Sequence, residues 1–233
     1  PASEVYVRMK RRACAEVGFE SYGFELPADS TQEKVESLVK ELNEDERING
    51  ILVQLPLPWE LDEEKVLQAV SLEKDVDGFH PINVGNLSSG YKAIVPCTPF
   101  GCLLLIKKIE KSLSGKHAVI IGRSNLNGKP MTQLLLKENC TVTITHSRTK
   151  DLKAECLEAD IIIASATTSV PIIGKGAVES ALQVRNNKPM LFIDLAVPRN
   201  IESEIKLLEQ VYLNSNSSNL FYLLHLQSII SHY

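Results

Sequence analysis

The chain has 233 residues, 44% hydrophobic and 23% charged, with a formal net charge of −4 and a pI near 5.8. That is enough apolar material for one good core or two modest ones. The mild acidic balance argues against a general nucleic-acid or anionic-membrane binder, and no apolar run has the length of a transmembrane helix.

Residues 1–18 have a Ser near their start, carry a mixed-charge face and end in Gly, which predicts a helix. "FESYGFEL" (19–26) predicts a strand, and "STQEKVESLVKELNED" (30–45) a helix with a Ser/Thr start. "INGILVQLPLP" (48–58) predicts a short buried strand that stops where Pro56 and Pro58 forbid further pairing, and "DEEKVLQAV" (62–70) a helix. Residues 74–90, rich in Gly, Asn and Pro, predict an irregular functional loop or crossover. "TPFGCLLLIKKIEKSL" (98–113) predicts a helix that links two lobes, with a hinge within 94–116. From there strands and helices alternate: strands over 117–122, 140–146, 160–166, 188–196 and 210–214, and helices over 128–139, 150–159 and 176–185. That alternation predicts a parallel sheet with helices on both faces. The expected fold class is therefore α/β with two lobes. A substrate lobe over 1–97 precedes a Rossmann-type domain over 98–215, and a tail over 216–233 has the pattern of an amphipathic helix.

The opening residues carry no signal-peptide pattern, and the start at Pro1 rather than Met suggests that a segment precedes it. Cys14, Cys97, Cys102, Cys140 and Cys156 are odd in number and show no C-x-x-C spacing. They predict reduced thiols in a cytoplasmic protein rather than disulfides or a zinc site, and no clustered metal ligands are expected.

The stretch "HAVIIGRSNLNGKPM" has the layout of a phosphate cradle without the G-x-G-x-x-G spacing. Gly122 ends a strand, while Gly128 and Pro130 open the next helix, whose free N–H groups favour an anion. Many α/β proteins turn this way with no ligand. After the second strand, where an NAD site would carry an acidic residue, stand His146, Ser147, Arg148 and Thr149. Arg and hydroxyl donors accept the 2′-phosphate that a carboxylate would repel, so the pattern favours NADP over NAD. Arg123 and Ser124 add donors from the first turn; the plain alternative is a basic surface loop.

In the first lobe, Tyr6 and Lys10 fall four apart on one helix face. Gln54 interrupts an apolar strand, where an amide needs a partner or a ligand, and "KDVDGF" offers Asp75 and Asp77 on a turn. Each has an ordinary structural explanation: an amphipathic face, a satisfied core amide, a plain Asp-Gly turn.

Taken in order, "PASEVYVRMK", "GILVQLPLP", "EKDVDGFHPINVG", "PCTPFGC", "GKHAVIIGRSNLNGKPM" and "VTITHSRTKDL" resemble the bifunctional methylenetetrahydrofolate dehydrogenase/methenyltetrahydrofolate cyclohydrolase family, from residue 1 to about 163. The resemblance implies NADP-dependent oxidation of 5,10-methylenetetrahydrofolate and hydrolysis of the methenyl product to 10-formyltetrahydrofolate, a step of one-carbon metabolism and purine biosynthesis. It implies Lys10 as the central catalytic group, supported by Gln54, with Asp77 anchoring the pterin and Tyr6 stacking on it. Leu55, Pro56 and Thr98 would also meet substrate. NADP would lie on Gly122, Arg123, Ser124, Gly128 and Pro130 and on residues 146–149; the strand expected over 188–196 would bring Val197 near it as well. A homodimer is implied; no nucleic acid, membrane or metal is.

The resemblance predicts a further helix and strand before residue 1 and a Gly- and Pro-rich closing loop near the C-terminus, yet the last glycine of the chain is Gly176. Residues 160–214, above all "PMLFIDLAVPRNIE", instead resemble the NADP-binding domain of glutamyl-tRNA reductase. Three readings follow: a folate enzyme with both activities, a hybrid that binds NADP without turnover, and a glutamyl-tRNA reductase-like fragment.

Overall fold

The computed structural model describes the backbone over 2–215 and side chains over 7–215. The helix expected over 216–233 lies outside these residues. The chain forms two compact units, the first running to Val95 and the second starting at Pro96.

The first unit is built on helices. α1 spans Ala2–Glu16, α2 Gln32–Glu44 and α3 Glu63–Ala69. Thr31 caps α2 by accepting from the Lys34 N–H, and Asp62 caps α3 by accepting from the Lys65 N–H. Val35 and Val39, one helical turn apart, bury the inner face of α2 against Ile51, Val66 and Val70. The Lys74 ammonium donates to the carbonyls of Leu42, Asn43 and Asp45 at 2.8–2.9 Å, satisfying the open carboxyl end of α2.

Three expectations for this unit are corrected. Residues 19–26 form no strand; they are exposed and without regular structure, and alternation alone cannot hold a strand that has no partner. The strand expected over 48–58 shrinks to one parallel bridge between Ile51 and Asp75. The expected irregular loop contains α4, Pro81–Ser88, where Pro81 opens the helix and the His80 ring accepts from the Ile82 N–H at 3.2 Å.

In the second unit, α5 (Cys97–Ile109) is followed by β1 (His117–Ile121), α6 (Gly128–Lys137), β2 (Thr141–Thr145), α7 (Leu152–Cys156), β3 (Ile161–Ala164), α8 (Lys175–Val184), β4 (Met190–Asp194) and β5 (Val211–Ser215). The strands are all parallel in the order β2-β1-β3-β4-β5. Side chains alternate across each strand. Val119, Ile162 and Phe192 face one side, where they pack with Val178 and Leu182 of α8 and with Ile205. α6 packs on β1 and β2, with α5 against it. Phe192 is fully buried, so truncating it to Ala would cost about 3–5 kcal/mol. The order reverses between β1 and β3, and the carboxyl ends of strands at such a switch point are where open α/β sheets bind ligands.

None of the five cysteines forms a disulfide. Burial pushes Cys102 and Cys156 up to about 12, so both stay protonated and inert.

Candidate active site

In the first unit, Lys10 Nζ donates to Gln54 Oε1 at 3.3 Å, and Gln54 Nε2 donates to the Leu55 carbonyl at 2.8 Å. An ammonium only donates and a carbonyl only accepts, so the two contacts fix which end of the amide faces the lysine. The amide that interrupts an apolar run is thus satisfied, and it holds Lys10 without adding charge. Leu55 is half-buried and Pro56 exposed beside this pair. Tyr6 lies in α1 one turn before Lys10, with its side chain outside the described set.

The two aspartates of "KDVDGF" have different roles. Asp75, buried, accepts from the N–H groups of Gly78, Phe79 and His80 and from the Asn83 amide, at 2.8–3.3 Å. It knots the turn, with Gly78 at φ 73°. Asp77 has no hydrogen-bond partner among the described residues. Desolvation pushes its carboxyl up to about 6; the Lys10 charge pulls it down and Asp75 pushes it further up. A lysine, an oriented amide and a carboxylate with open acceptor capacity therefore share one unit. Composition and spacing alone leave Asp75 and Asp77 alike on the turn, and only the family resemblance singles out Asp77; the Asn eight residues after Asp75 is the partner that commits Asp75.

In the second unit the predicted cradle stands at the switch point. Gly122 has φ 119°, and a Cβ there would lie 2.9 Å from Ser165 Oγ and 3.1 Å from the Ser165 carbonyl. The exits of β1 and β3 thus approach so closely that only a glycine fits at this turn. Gly128 is buried, and a Cβ on it would meet the backbone of Gly122 and Arg123, with Gly122 C at 2.7 Å. Pro130, also buried, supports the turn from within α6. Ser124 Oγ accepts from the Asn127 N–H at 3.1 Å, and Arg123 is exposed.

After β2, the His146 N–H donates to Thr149 Oγ1 at 2.9 Å, while His146 Nδ1 accepts from the Arg148 N–H at 3.1 Å. His146 and Thr149 therefore shape the turn, and Ser147 and Arg148 are left exposed on it. Val197 is 79% exposed beyond β4. Thr98 sits in the first turn of α5. These residues fit a dinucleotide: a turn free of side-chain bulk for a pyrophosphate and a guanidinium for a 2′-phosphate. Ser165 was not foreseen, although its place directly after β3 at a switch point marks it.

A separate cavity of about 330 Å³, lined by Ile109, Lys116, Asp160, Met190 and Tyr212 among others, opens at the amino ends of the strands, away from the crevice. Among the described residues no group of three or more His, Cys, Asp or Glu could hold a metal ion.

Fold and crevice define a protein with a dinucleotide-binding unit, preceded by a unit carrying a lysine-centred polar cluster. Two family models match it. The tetrahydrofolate dehydrogenase/cyclohydrolase catalytic domain matches residues 1–77, and the NAD(P)-binding domain of the same family matches residues 96–184. The Bifunctional protein FolD of Pelagibacter ubique (strain HTCC1062) is 66% identical over 163 residues, 70% of this chain and 58% of that protein. The chain thus spans less than two thirds of that relative's length. A bifunctional FolD methylenetetrahydrofolate dehydrogenase/cyclohydrolase from Campylobacter jejuni, solved as a crystal structure, is 33% identical, with a TM-score of 0.83 over 100% of this chain and 85% of the other. The chain belongs to the tetrahydrofolate dehydrogenase/cyclohydrolase family. Glutamyl-tRNA reductase from Methanopyrus kandleri shares the fold, at 18% identity and a TM-score of 0.50 over 95% of this chain and 60% of the other.

Proposed function

We propose that this chain binds NADP and a tetrahydrofolate and performs both family reactions: oxidation of 5,10-methylenetetrahydrofolate to the methenyl compound, and hydrolysis of that product to 10-formyltetrahydrofolate. The observation that carries the reading is the Lys10–Gln54 pair beside Asp77, inside the stretch that matches the catalytic domain. NADP⁺, when bound, supplies the hydride acceptor; Gly122, Arg123, Ser124 and the Ser147–Arg148 turn are the residues to hold it. The remaining chemistry rests on side chains of the chain itself. The methenyl product is a cation, and the water that attacks it must lose a proton. Lys10 Nζ takes that proton in its neutral amine form and becomes the ammonium, which donates to the neutral oxygen of Gln54. Asp77, with its acceptor positions open, takes N–H donors of the pterin, and Tyr6, Leu55 and Pro56 complete that face. Thr98 is assigned to the substrate as well. Arg148 selects NADP over NAD through the 2′-phosphate.

A homodimer and a cytoplasmic role in one-carbon metabolism and purine biosynthesis belong to this reading. A net charge of −4 favours a small-molecule substrate over nucleic acid, and no helix among the described residues is long and apolar enough to cross a membrane.

A second reading, NADP binding without turnover, is favoured by one observation: the NAD(P)-binding-domain match ends at residue 184, while the sheet continues to Ser215. Lys10→Ala distinguishes the roles. The variant is expected to lose cyclohydrolase activity by roughly 10²-fold or more, as for removal of a proton-transfer group, with NADP affinity unchanged by calorimetric titration. A full cyclohydrolase rate in the variant would remove Lys10 from the chemistry.

A further inference from the structure

Beyond the glycine turn, the least expected polar arrangement in the second unit lies at the exits of β3 and β4. Asn200 is fully buried, and each of its polar groups is engaged. Its N–H donates to Asp194 Oδ2 at 3.0 Å, its amide Nδ2 to Thr168 Oγ1 at 2.8 Å, and its Oδ1 accepts from the Ala166 N–H at 2.9 Å. Its carbonyl accepts from the N–H groups of Ile172 and Ile173 at 2.7 and 3.1 Å. Asp194, 1% exposed, also accepts from the Ala196 and Ile201 N–H groups. One side chain therefore ties the segment leaving β3 to the segment leaving β4.

These ties end at the crevice. Ala166 follows Ser165, whose backbone and hydroxyl approach Gly122 so closely that a Cβ there would touch them. Ser165 is itself anchored through its N–H to the Ile121 carbonyl at 2.8 Å. The strand order fixes which part of a dinucleotide meets this floor. Arg148 stands beyond β2, at one side of β1; the β3 and β4 exits stand at the other. A dinucleotide with its 2′-phosphate on Arg148 and its pyrophosphate on the β1 turn must place its nicotinamide half over β3 and β4. Asn200 and Asp194 both lie past residue 184, outside the stretch that matches the family model.

We infer that Asn200 is a positioning residue for the nicotinamide half of the cofactor: by holding Ala166, Thr168 and Asp194 together, it sets the floor of the crevice and the seat of Val197. The inference rests on the NADP reading above. Truncating Asn200 leaves the Ala166 N–H without its partner and removes the donor to Thr168 Oγ1, whose own proton stays on the Val170 carbonyl at 2.9 Å, so the tie between the two exit segments is lost.

The test is a pair of titrations on the full chain, with NADP⁺ and with adenosine 2′,5′-bisphosphate, which carries the 2′-phosphate half alone. Asn200→Ala is expected to weaken NADP⁺ roughly tenfold, the scale of one lost hydrogen-bond network member, and to leave the bisphosphate within about twofold. Thr168→Val, which removes a single hydroxyl from the same network and guards against a folding failure at Asn200, is expected to move NADP⁺ in the same direction by a smaller factor. Equal losses for both ligands, or no loss for NADP⁺ in the folded variants, would overturn the inference. If the unmodified chain bound neither ligand, the cofactor reading would fall and this inference with it; binding of both by the unmodified chain, with the split absent only in the variants, would count against Asn200 alone.

Discussion

Two aspartates two residues apart share a turn, and only one is free to meet a ligand. Asp75 gives its oxygens to three N–H donors of its own turn and to the Asn83 amide of α4, while Asp77 has its acceptor positions open and a carboxyl raised to about 6 by burial. The folded value lies above the unfolded one near 3.9, so the fold binds more protons there and loses stability as pH rises from about 4 to about 6. A ligand that donates N–H groups selects the ionised form. Affinity for a tetrahydrofolate is therefore expected to rise roughly tenfold between pH 5 and pH 7, and Asp77→Asn to flatten that slope while weakening binding. A pH-independent affinity in the unmodified protein, measured by fluorescence titration, would exclude Asp77 from the pterin. Arg148 makes a second point at this scale. It is exposed on a turn shaped by His146 and Thr149, so Arg148→Ala is expected to leave the fold intact and to weaken NADP by about 1.5–3 kcal/mol, the worth of a hydrogen bond to a charged group. NAD affinity should change little; equal losses for both would contradict the 2′-phosphate assignment.

At the scale of elements, the β1–turn–α6 unit is a packing problem solved by two glycines. Gly122 leaves room beside Ser165, and Gly128 lets α6 start against the backbone of Gly122 and Arg123. Backbone cannot yield as a flexible side chain can. Gly128→Ala is expected to open the turn, lower stability by about 1–3 kcal/mol and weaken NADP, as read by thermal unfolding with and without cofactor. An unchanged Tm and unchanged affinity would mean the turn is softer than its geometry implies. Sequence patterns made this half legible. Ile161–Ala164 and residues 190–193 are continuous apolar runs, as strands buried on both faces must be, and the helices between the strands carry apolar spacing. The first unit was less legible because its order comes from contacts distant in sequence. "FESYGFEL" alternates like a strand but has nothing to pair with. Residues 81–88 look irregular, yet they fold as α4 because Asn83 bonds to Asp75 eight residues earlier and to the Ile94 N–H eleven residues later. The Asp194–Asn200 tie was illegible for the same reason: nothing in "DLAVPRN" shows that its last residue will reach Thr168.

For the molecule as a whole, two units carry two kinds of chemistry: a lysine, an amide and a carboxylate in the first, and an open crevice at a sheet's switch point in the second. The sheet runs on through β5 even though its last two strands lie beyond the family match, because parallel pairing asks only for apolar strands in register, as Ile161–Ala164 against Leu191–Asp194 provide. Whether the pieces work together is decided most directly by mixing the purified chain with 5,10-methylenetetrahydrofolate and NADP⁺ and following NADPH and methenyl absorbance. Steady NADPH formation, with the methenyl signal staying low because Lys10-dependent hydrolysis removes it, is the expected result. No NADPH above the protein-free background, from a chain that binds NADP⁺ in titration, would contradict the proposed activity and leave the non-turnover reading.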